Sequence, residues 1–241
     1  MPDNHPPAAV PLALTPAHVA RAHREVEDPP HDPCWTLLTD DDLDALAHDL
    51  TANRPHPVPI FAYGSLIWNP GFEVGKTRKA TAPDWHRSFC IDLNHWRGSP
   101  DCPGLMLALE PGGSCTGLIM EIAPGTEREA MRAILRRELV ARELAQNACW
   151  ITVETDRGTE QALTFYAGTV GQALVHLPVV QQAQRLAHAC GHAGSGAEYL
   201  HRTAAALAAH GLDDPYMWRL QHLVAEEIDS WPAPGAPIGD V

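Results

Sequence analysis

Two places in the sequence carry residue types that could bind an anion and move a proton. One is the stretch at 61–68 (FAYGSLIW), whose pattern predicts a buried strand that breaks at Gly64 and Ser65. Backbone amides at the tip of such a strand can point together at one anion, and a glycine leaves room for the ligand. The other is Glu138, a carboxylate that can accept and return a proton. Together they would suit a reaction in which an oxyanion is stabilised while a proton is transferred.

Glu138 falls on the apolar face of a predicted helix. Met131, Ile134 and Leu135 recur at helical spacing and form a stripe along that face. Glu138 lies in the same stripe, and a carboxylate that faces a core is costly unless it is paired or functional. Burial would raise its pKa, because desolvation penalises the anion, and a raised pKa suits a general acid or base. The alternative is a structural ion pair with Arg142, one turn farther along that face.

The elements that must position these residues are strands interrupted by a few helices. Apolar runs separated by Gly, Pro and Asp predict strands at 59–64, 87–93, 104–109, 115–122, 149–154 and 161–168. Capping signals and apolar periodicity predict helices at 15–25, 39–50, 127–143, 178–189, 196–209 and 214–229. Thr126 and Glu129 are predicted to form a capping box where the helix of Glu138 begins. The mixture indicates an α+β fold with a strand-rich core and a helical last third.

The chain is predicted to hold one main domain with a flanking segment on each side. A proline-rich boundary separates an N-terminal extension, residues 1–57, from a domain at 58–230, and residues 231–241 form a tail. Residues 1–14 are rich in Pro and Ala and are predicted to be disordered, whereas the remainder of the extension carries the first two helices. A length of 241 residues is ample for a large core.

Charge and cysteine usage narrow the class of partner and the compartment. The formal net charge is −13, which argues against nucleic acid and anionic membranes as main partners. The 6 cysteines include no CxxC pair, and no basic and apolar leader is evident, so a cytoplasmic protein is expected. No apolar run approaches the length of a spanning helix. The sequence does not give the oligomeric state.

The two places together resemble the ChaC family of glutathione-specific γ-glutamylcyclotransferases. The matching words are FAYGSLIWNP from Phe61, WHRSFC from Trp85, RGS from Arg97, PGLMLAL from Pro103 and the pair Arg137 and Glu138. The segment at 191–200 (GHAGSGAEYL) is similar to a G-x-x-G-x-x-x-Y-L pattern of the family, and the resemblance covers residues 58–229. A YGSLIW word followed by a helical R-E is far more specific than either feature alone.

The resemblance implies a small mixed β-barrel surrounded by α-helices, with no metal and no organic cofactor. It implies that glutathione is the substrate and that it is split into 5-oxoproline and cysteinylglycine. The family's substrate-cradling loop falls on Tyr63, Gly64, Ser65 and Leu66, and its catalytic glutamate falls on Glu138.

Four further residues are candidates for substrate contact. Ala62 and Ile67 flank the YGSL loop on either side. Arg97 could steer a substrate carboxylate or could be an ordinary loop cation. Tyr199 could touch the substrate, or it could pack its helix against the barrel.

One departure from the family concerns the segment after Glu138. Family members commonly carry Gly and Tyr there, whereas this chain reads LVAREL at 139–144, and the segment before Trp150 is longer. The pocket wall and the substrate preference depend on this segment. A cyclotransferase for other γ-glutamyl amines or dipeptides therefore stays open, as does a module that binds γ-glutamyl compounds without turnover. Glu138 favours an enzyme, because a pure binder needs no carboxylate on an apolar helix face.

The sequence does not support three other functional motifs. The stretch at 71–77 (GFEVGKT) has too few residues between its glycines to be a phosphate-binding loop. The G-x-S-x-G elbow of hydrolases is absent from the sequence. His188, Cys190 and His192 have no second ligand pair with the spacing of a zinc site.

Overall fold

The computed structural model describes residues 12–28, 30, 35–168 and 173–232, and within them five strands close into a barrel. The strands β1 to β5 are Pro59–Ala62, Val74–Leu93, Gly104–Ile122, Ala148–Thr155 and Gly158–Phe165. Their order around the barrel is β1-β3-β2-β4-β5, and the barrel closes where β1 runs parallel to β5. The other pairs are antiparallel, with Ala62 of β1 opposite Leu118 of β3. A closed barrel leaves no open sheet edge.

Helices surround this barrel. The helices α1 to α6 are Pro16–Ala22, Asp40–Thr51, Glu127–Glu138, Val179–His188, Gly196–Ala209 and Pro215–Asp229. Short 3-10 turns lie at Ser65–Ile67 and Arg142–Asn147, and the two-residue strands β6 (Cys190–Gly191) and β7 (Gly194–Ser195) pair before α5. The predicted α+β barrel surrounded by helices is therefore confirmed. No helix of the described ranges is long and apolar enough to cross a membrane.

The N-terminal extension contributes to the same core as the barrel. Leu14 and Leu43 are fully buried in one apolar cluster with Ile60 of β1 and Leu135 of α3. The prediction of disorder falls mostly outside the described residues, since 1–11 are not described. It is wrong for Leu14, whose amide donates to the buried side chain of Gln221 at 2.8 Å. The tail beyond residue 232 also lies outside the described residues.

Strands β2 and β3 are longer than the sequence pattern predicts. The sequence separates 104–109 from 115–122 at Pro111, Gly112 and Gly113, yet β3 runs through all of these residues. Pro83 pairs with Ser114 and Trp85 with Pro111, so the two glycines form an irregularity in the ladder rather than a chain reversal. Residues 74–86, for which no strand is predicted, belong to β2 because they pair along the same hairpin.

Helix α3 ends earlier than predicted, at Glu138 rather than at residue 143. Leu139 leaves the helical conformation, and the next residues form a separate 3-10 turn. The predicted capping box is also wrong, since the Thr126 side chain caps no amide and donates instead to the carbonyl of Ala123 at 2.9 Å. The early end places Glu138 in the last turn of α3.

Candidate active site

The YGSL loop leaves β1 at Ala62 and enters a 3-10 turn at Ser65. Its path is fixed by Arg87 of β2, whose Nε donates to the carbonyl of Tyr63 at 2.7 Å. The Arg87 side chain is fully buried, and its Nη1 pairs with Asp214 Oδ2 at 2.7 Å. A buried guanidinium needs such partners because an unpaired buried charge is very costly. The loop therefore starts from a rigid support.

Backbone donors in this loop are free to bind a ligand. Across the described residues, the amides of Gly64, Ser65 and Leu66 donate to no backbone or side-chain acceptor. The first amides of a helical turn have no partner within the turn, which explains why they are left over. Free amides at one place form a concave site of partial positive charge that suits an oxyanion or a carboxylate.

Arg137 joins helix α3 to this loop. Its Nη2 donates to Ser65 Oγ at 2.6 Å, and its Nη1 donates to the carbonyl of Asn69. Its Nε lies 3.3 Å from Glu138 Oε1. One guanidinium thus contacts the loop and the carboxylate at once, so Glu138 is held beside the YGSL turn.

The pKa of Glu138 is raised above its ordinary value. Burial is the main cause, because only 20% of the Glu138 side chain is exposed. The positive charge of Arg137 opposes the shift. The position in the last turn of α3 acts in the same direction as burial, because the negative end of the helix dipole disfavours another negative charge. The pKa of Glu138 is therefore shifted upward, which is the direction that favours a general acid or base.

Two phenols, the buried Tyr199 and the partly buried Tyr63, lie within the electrostatic reach of Glu138. Burial, followed by the charge of Glu138, raises the pKa of Tyr63 well above its ordinary value. The same causes raise the pKa of Tyr199 to about 12, against a smaller opposing effect of its hydrogen bond with Ser65. Both phenols stay neutral at physiological pH and can donate a hydrogen bond toward a substrate.

Tyr199 is held rigidly by two aromatic neighbours. Its ring meets Trp68 and Phe89 edge to face, with both pairs of ring centroids 6.0 Å apart. A Cβ added to Gly64 would lie 3.5 Å from the Tyr199 hydroxyl and 3.4 Å from Leu107 Cδ2. The α-carbon of Gly64 therefore faces the space beside the Tyr199 hydroxyl.

Arg97 lies near the ring of Tyr199, at the start of α5. Its Nη1 lies 3.0 Å from Glu198 Oε2 and donates to the Ser195 carbonyl at 3.1 Å. Its guanidinium carbon is 5.4 Å from the centre of the Tyr199 ring. Arg97 thus secures the start of α5, and the structure brings it near Tyr199 rather than into contact with Glu138.

The structure corrects the predicted partner of Glu138 and adds residues that the sequence analysis missed. Arg142 does not share a face with Glu138, because α3 ends first, and it pairs instead with Asp42 at 2.7 Å. Arg137 lies in a stretch that matches the family, but the sequence alone does not predict its contact with Ser65. Arg87 and Leu107 lie in two other matching stretches. Their position in those stretches is the sequence signal that could have marked them as residues of the site.

Comparison with known proteins identifies the family. A family model described as ChaC-like protein matches residues 58–227. The chain belongs to the ChaC family. The Escherichia coli K12 protein named glutathione-specific gamma-glutamylcyclotransferase is 31% identical over 167 residues, which cover 66% of this chain and 68% of that one. Gamma-glutamylcyclotransferase 2-1 of Arabidopsis thaliana is 27% identical over 179 residues, covering 70% and 83%. The predicted family is therefore confirmed.

A solved structure supports the fold of this ChaC chain. The yeast γ-glutamyl cyclotransferase specific to glutathione superposes with a TM-score of 0.61 at 18% identity, covering 70% of this chain and 96% of that one. At that identity the likeness concerns the fold alone. Among the described residues, no group of three or more His, Cys, Asp or Glu side chains is placed to hold a metal ion.

The role of Arg137 in positioning can be tested by Arg137→Met. This change removes the link from Ser65 to Glu138, and we expect kcat/KM to fall roughly 10-fold because a small misplacement of catalytic groups is costly. It also removes a cation that lowers the pKa of Glu138, so the acidic limb of the rate profile should move to higher pH. Arg157→Met, an exposed arginine in the turn between β4 and β5, is the control. Equal profiles for the two variants would refute the role of Arg137.

Proposed function

We propose that this chain cleaves glutathione to 5-oxoproline and cysteinylglycine, with Glu138 as the general acid and base. The observation that carries the proposal is a desolvated carboxylate held by Arg137 against a loop with free amides. The names of ChaC relatives in Escherichia coli and zebrafish, both called glutathione-specific γ-glutamylcyclotransferases, support this substrate.

The substrate supplies its own nucleophile. The α-amine of the γ-glutamyl group attacks the γ-carbonyl carbon, a carbon–nitrogen bond forms, and a five-membered ring closes. The bond from that carbon to the cysteinyl nitrogen then breaks and releases cysteinylglycine. Because the attack is intramolecular, the enzyme must mainly fold the substrate into a reactive conformation, which can lower the barrier by up to about 7–11 kcal/mol. Neither a water molecule nor an enzyme nucleophile enters the balance.

Glu138 is placed to carry protons from the attacking nitrogen to the leaving nitrogen. The α-ammonium of the substrate loses one proton to the Glu138 carboxylate, which makes the amine nucleophilic, and the same carboxyl donates that proton to the leaving nitrogen. The attacking nitrogen loses a second proton as it becomes the lactam N–H, and this proton passes by the same route to the released amine, which leaves as an ammonium, so Glu138 returns to its starting state. A raised pKa serves both steps, because the group must accept and release a proton at similar pH.

The YGSL loop would hold the γ-glutamyl group and its oxyanion. The free amides of Gly64, Ser65 and Leu66 can donate to the oxygen that becomes negative as the ring closes. Ala62 and Ile67 are buried, so they would contribute through backbone and shape rather than through exposed side chains.

Three side chains complete the proposed substrate site. The Tyr63 and Tyr199 hydroxyls would orient the substrate near Glu138. Arg97 would act on substrate through Tyr199 and the start of α5, because its charge is already paired with Glu198.

The pH dependence follows from the raised pKa of Glu138. Below that pKa the carboxyl is protonated and cannot accept the ammonium proton, so kcat/KM should fall as pH falls through it. We expect this acidic limb above the ordinary glutamate value of 4.5, because burial favours the neutral acid. A kcat/KM profile for glutathione measures the limb. A limb at or below 4.5 would contradict a desolvated general base.

The substrate can be tested by direct product analysis. The purified chain is incubated with glutathione or with γ-glutamylalanine, without added metal, and 5-oxoproline is quantified by mass spectrometry. We expect 5-oxoproline and cysteinylglycine in equal amounts from glutathione and little product from γ-glutamylalanine. Preference for γ-glutamylalanine would indicate a cyclotransferase for other γ-glutamyl compounds. Binding of glutathione without product would indicate a non-catalytic module.

A further inference from the structure

Helix α2 lies outside the region matched to the ChaC family but is packed along helix α3. Two of its acidic residues form ion pairs with three arginines of α3. Asp44 pairs with Arg128 at 2.6 Å and also with Arg132, and Asp40 pairs with Arg136 at 2.6 Å. Ion pairs therefore connect α2 with α3 along most of the length of α3.

The contact continues past the end of α3 on the other side of Glu138. Asp42 Oδ2 lies 2.7 Å from Arg142 Nη2. The Thr36 carbonyl accepts the Arg142 amide at 2.8 Å, and the Thr36 amide donates to Glu143 at 3.1 Å. The segment at 36–44 therefore holds the chain both before and after Glu138.

Apolar packing also anchors α2 on the rest of the fold. Leu43 of α2 is fully buried in the core cluster. At the other end of α2, Trp150 Nε1 donates to the Leu50 carbonyl at 2.8 Å, and Arg54 lies 5.0 Å from the Trp150 ring centre. The ion pairs are thus added to a helix that is already anchored.

The arginines of α3 would repel one another without α2. Arg128, Arg132 and Arg136 follow at four-residue intervals, so they are neighbours on one helix face, and like charges at that spacing destabilise a helix. Glu138 lies in the last turn, which is the part of a helix that frays first. Fraying of that turn would move Glu138 toward water and away from Ser65.

We propose that Asp40, Asp42 and Asp44, here called the acidic brace, are positioning residues that keep Glu138 beside the YGSL loop. The inference rests on the proposed function, since it assigns Glu138 the catalytic role. The brace gives the N-terminal extension a function in catalysis through the placement of α3. The extension also contacts the atypical segment after Glu138, through Arg142 and Glu143.

The test compares two double variants of the full-length chain. Asp40→Asn with Asp44→Asn removes two charges that pair with α3. Asp41→Asn with Asp49→Asn removes two charges from the same helix that meet no arginine in the described structure. Asp42 is left in place, because it also caps α2 through Thr39. Both variants are assayed for 5-oxoproline release from glutathione over a range of pH, and their backbone amides are followed by hydrogen exchange.

The double variant Asp40→Asn with Asp44→Asn is here called the brace variant. We expect its kcat to be about 10-fold below wild type and its KM to stay within about 2-fold, because misplacement of one catalytic group slows chemistry more than binding. The acidic limb should move to lower pH as Glu138 gains water, while Arg137, Tyr63 and Tyr199 remain around it. Amides of residues 135–139 should exchange faster. Asp40→Glu with Asp44→Glu should keep wild-type kcat, and the Asp41→Asn with Asp49→Asn control should match wild type.

Two outcomes would overturn the inference. One is a brace variant whose exchange at 135–139 and acidic limb equal those of the control. The other is a loss of activity that merely follows the unfolded fraction, with an unshifted acidic limb. If wild type itself releases no 5-oxoproline, the proposed function fails instead, and the exchange at 135–139 still decides whether the acidic residues hold the end of α3.

Discussion

Replacing Glu138 by glutamine is expected to lower kcat for glutathione roughly 100-fold to 10,000-fold in a fully folded protein, the range that general acid–base groups contribute. Glutamine keeps the size and shape of the side chain and its contact with Arg137, but it cannot accept a proton. The substrate ammonium would have to lose its proton to water, and the leaving amine would depart unprotonated. KM should change little, because the YGSL loop and the phenols are untouched.

The same variant should not be less stable than wild type. The pKa of Glu138 is raised in the folded protein, so the folded state binds more protons than the unfolded state between the two pKa values. Stability conferred by this group therefore falls as pH rises through that interval, and at neutral pH the carboxylate disfavours folding. Glutamine removes that cost, so the melting temperature of Glu138→Gln relative to wild type should rise as pH increases.

The measurement is 5-oxoproline release, with melting curves at several pH values. Glu129→Gln is a matched control, since Glu129 lies on the same helix and is exposed. Activity of Glu138→Gln close to that of Glu129→Gln would remove Glu138 from the mechanism. A large drop in its melting temperature would instead make Glu138 a structural ion-pair partner.

Replacing Gly64 by alanine is expected to lower kcat/KM about 100-fold, mainly through KM, because the new methyl group would take space that the bound γ-glutamyl group needs, and a displacement of about 1 Å can cost this much. The new methyl group would point at the space between Leu107 and the Tyr199 hydroxyl, where the γ-glutamyl group is proposed to lie. Its contacts of 3.4 and 3.5 Å are ordinary, so the neighbouring side chains leave room for the methyl. Substrate binding should therefore suffer far more than folding.

Gly75→Ala is the matched control for this change. Its added Cβ would also meet neighbours at 3.5 Å or more, but it lies on β2 rather than in the YGSL loop. Titration of each variant with glutathione gives KM, and thermal unfolding gives stability. If Gly64→Ala and Gly75→Ala share the wild-type KM, the loop does not cradle the substrate.

The sequence predicted the pair of features on which the site depends. Glu138 was visible because apolar periodicity is a strong signal on a helix, and a carboxylate within the stripe is conspicuous. The YGSL turn alone is weak evidence, because Gly-Ser after a strand is common, and it gained force from Glu138 and from the words that match the family. The family resemblance then supplied the barrel, which strand patterns alone do not close, because closure requires the long-range pairing of β1 with β5.

The missed features depend on tertiary contacts. Just beyond the end of α3 the Arg142 amide donates to the carbonyl of Thr36, which is distant in sequence, and helix propensity around residue 138 does not reveal this contact. The ion-pair partner of Glu138 was misassigned for the same reason, since spacing along a helix has meaning only while the helix continues. Gly112 and Gly113 suggested a turn, because a ladder irregularity and a turn use the same residues.

The central claim is that the substrate amine, and not water, attacks the γ-carbonyl. It is tested most directly by running the reaction in water enriched in heavy oxygen and examining the γ-glutamyl product by mass spectrometry. The proposed mechanism predicts 5-oxoproline without the label, formed in step with cysteinylglycine. Labelled glutamate as the product would show that water attacks, and the chain would then be a hydrolase rather than a cyclotransferase.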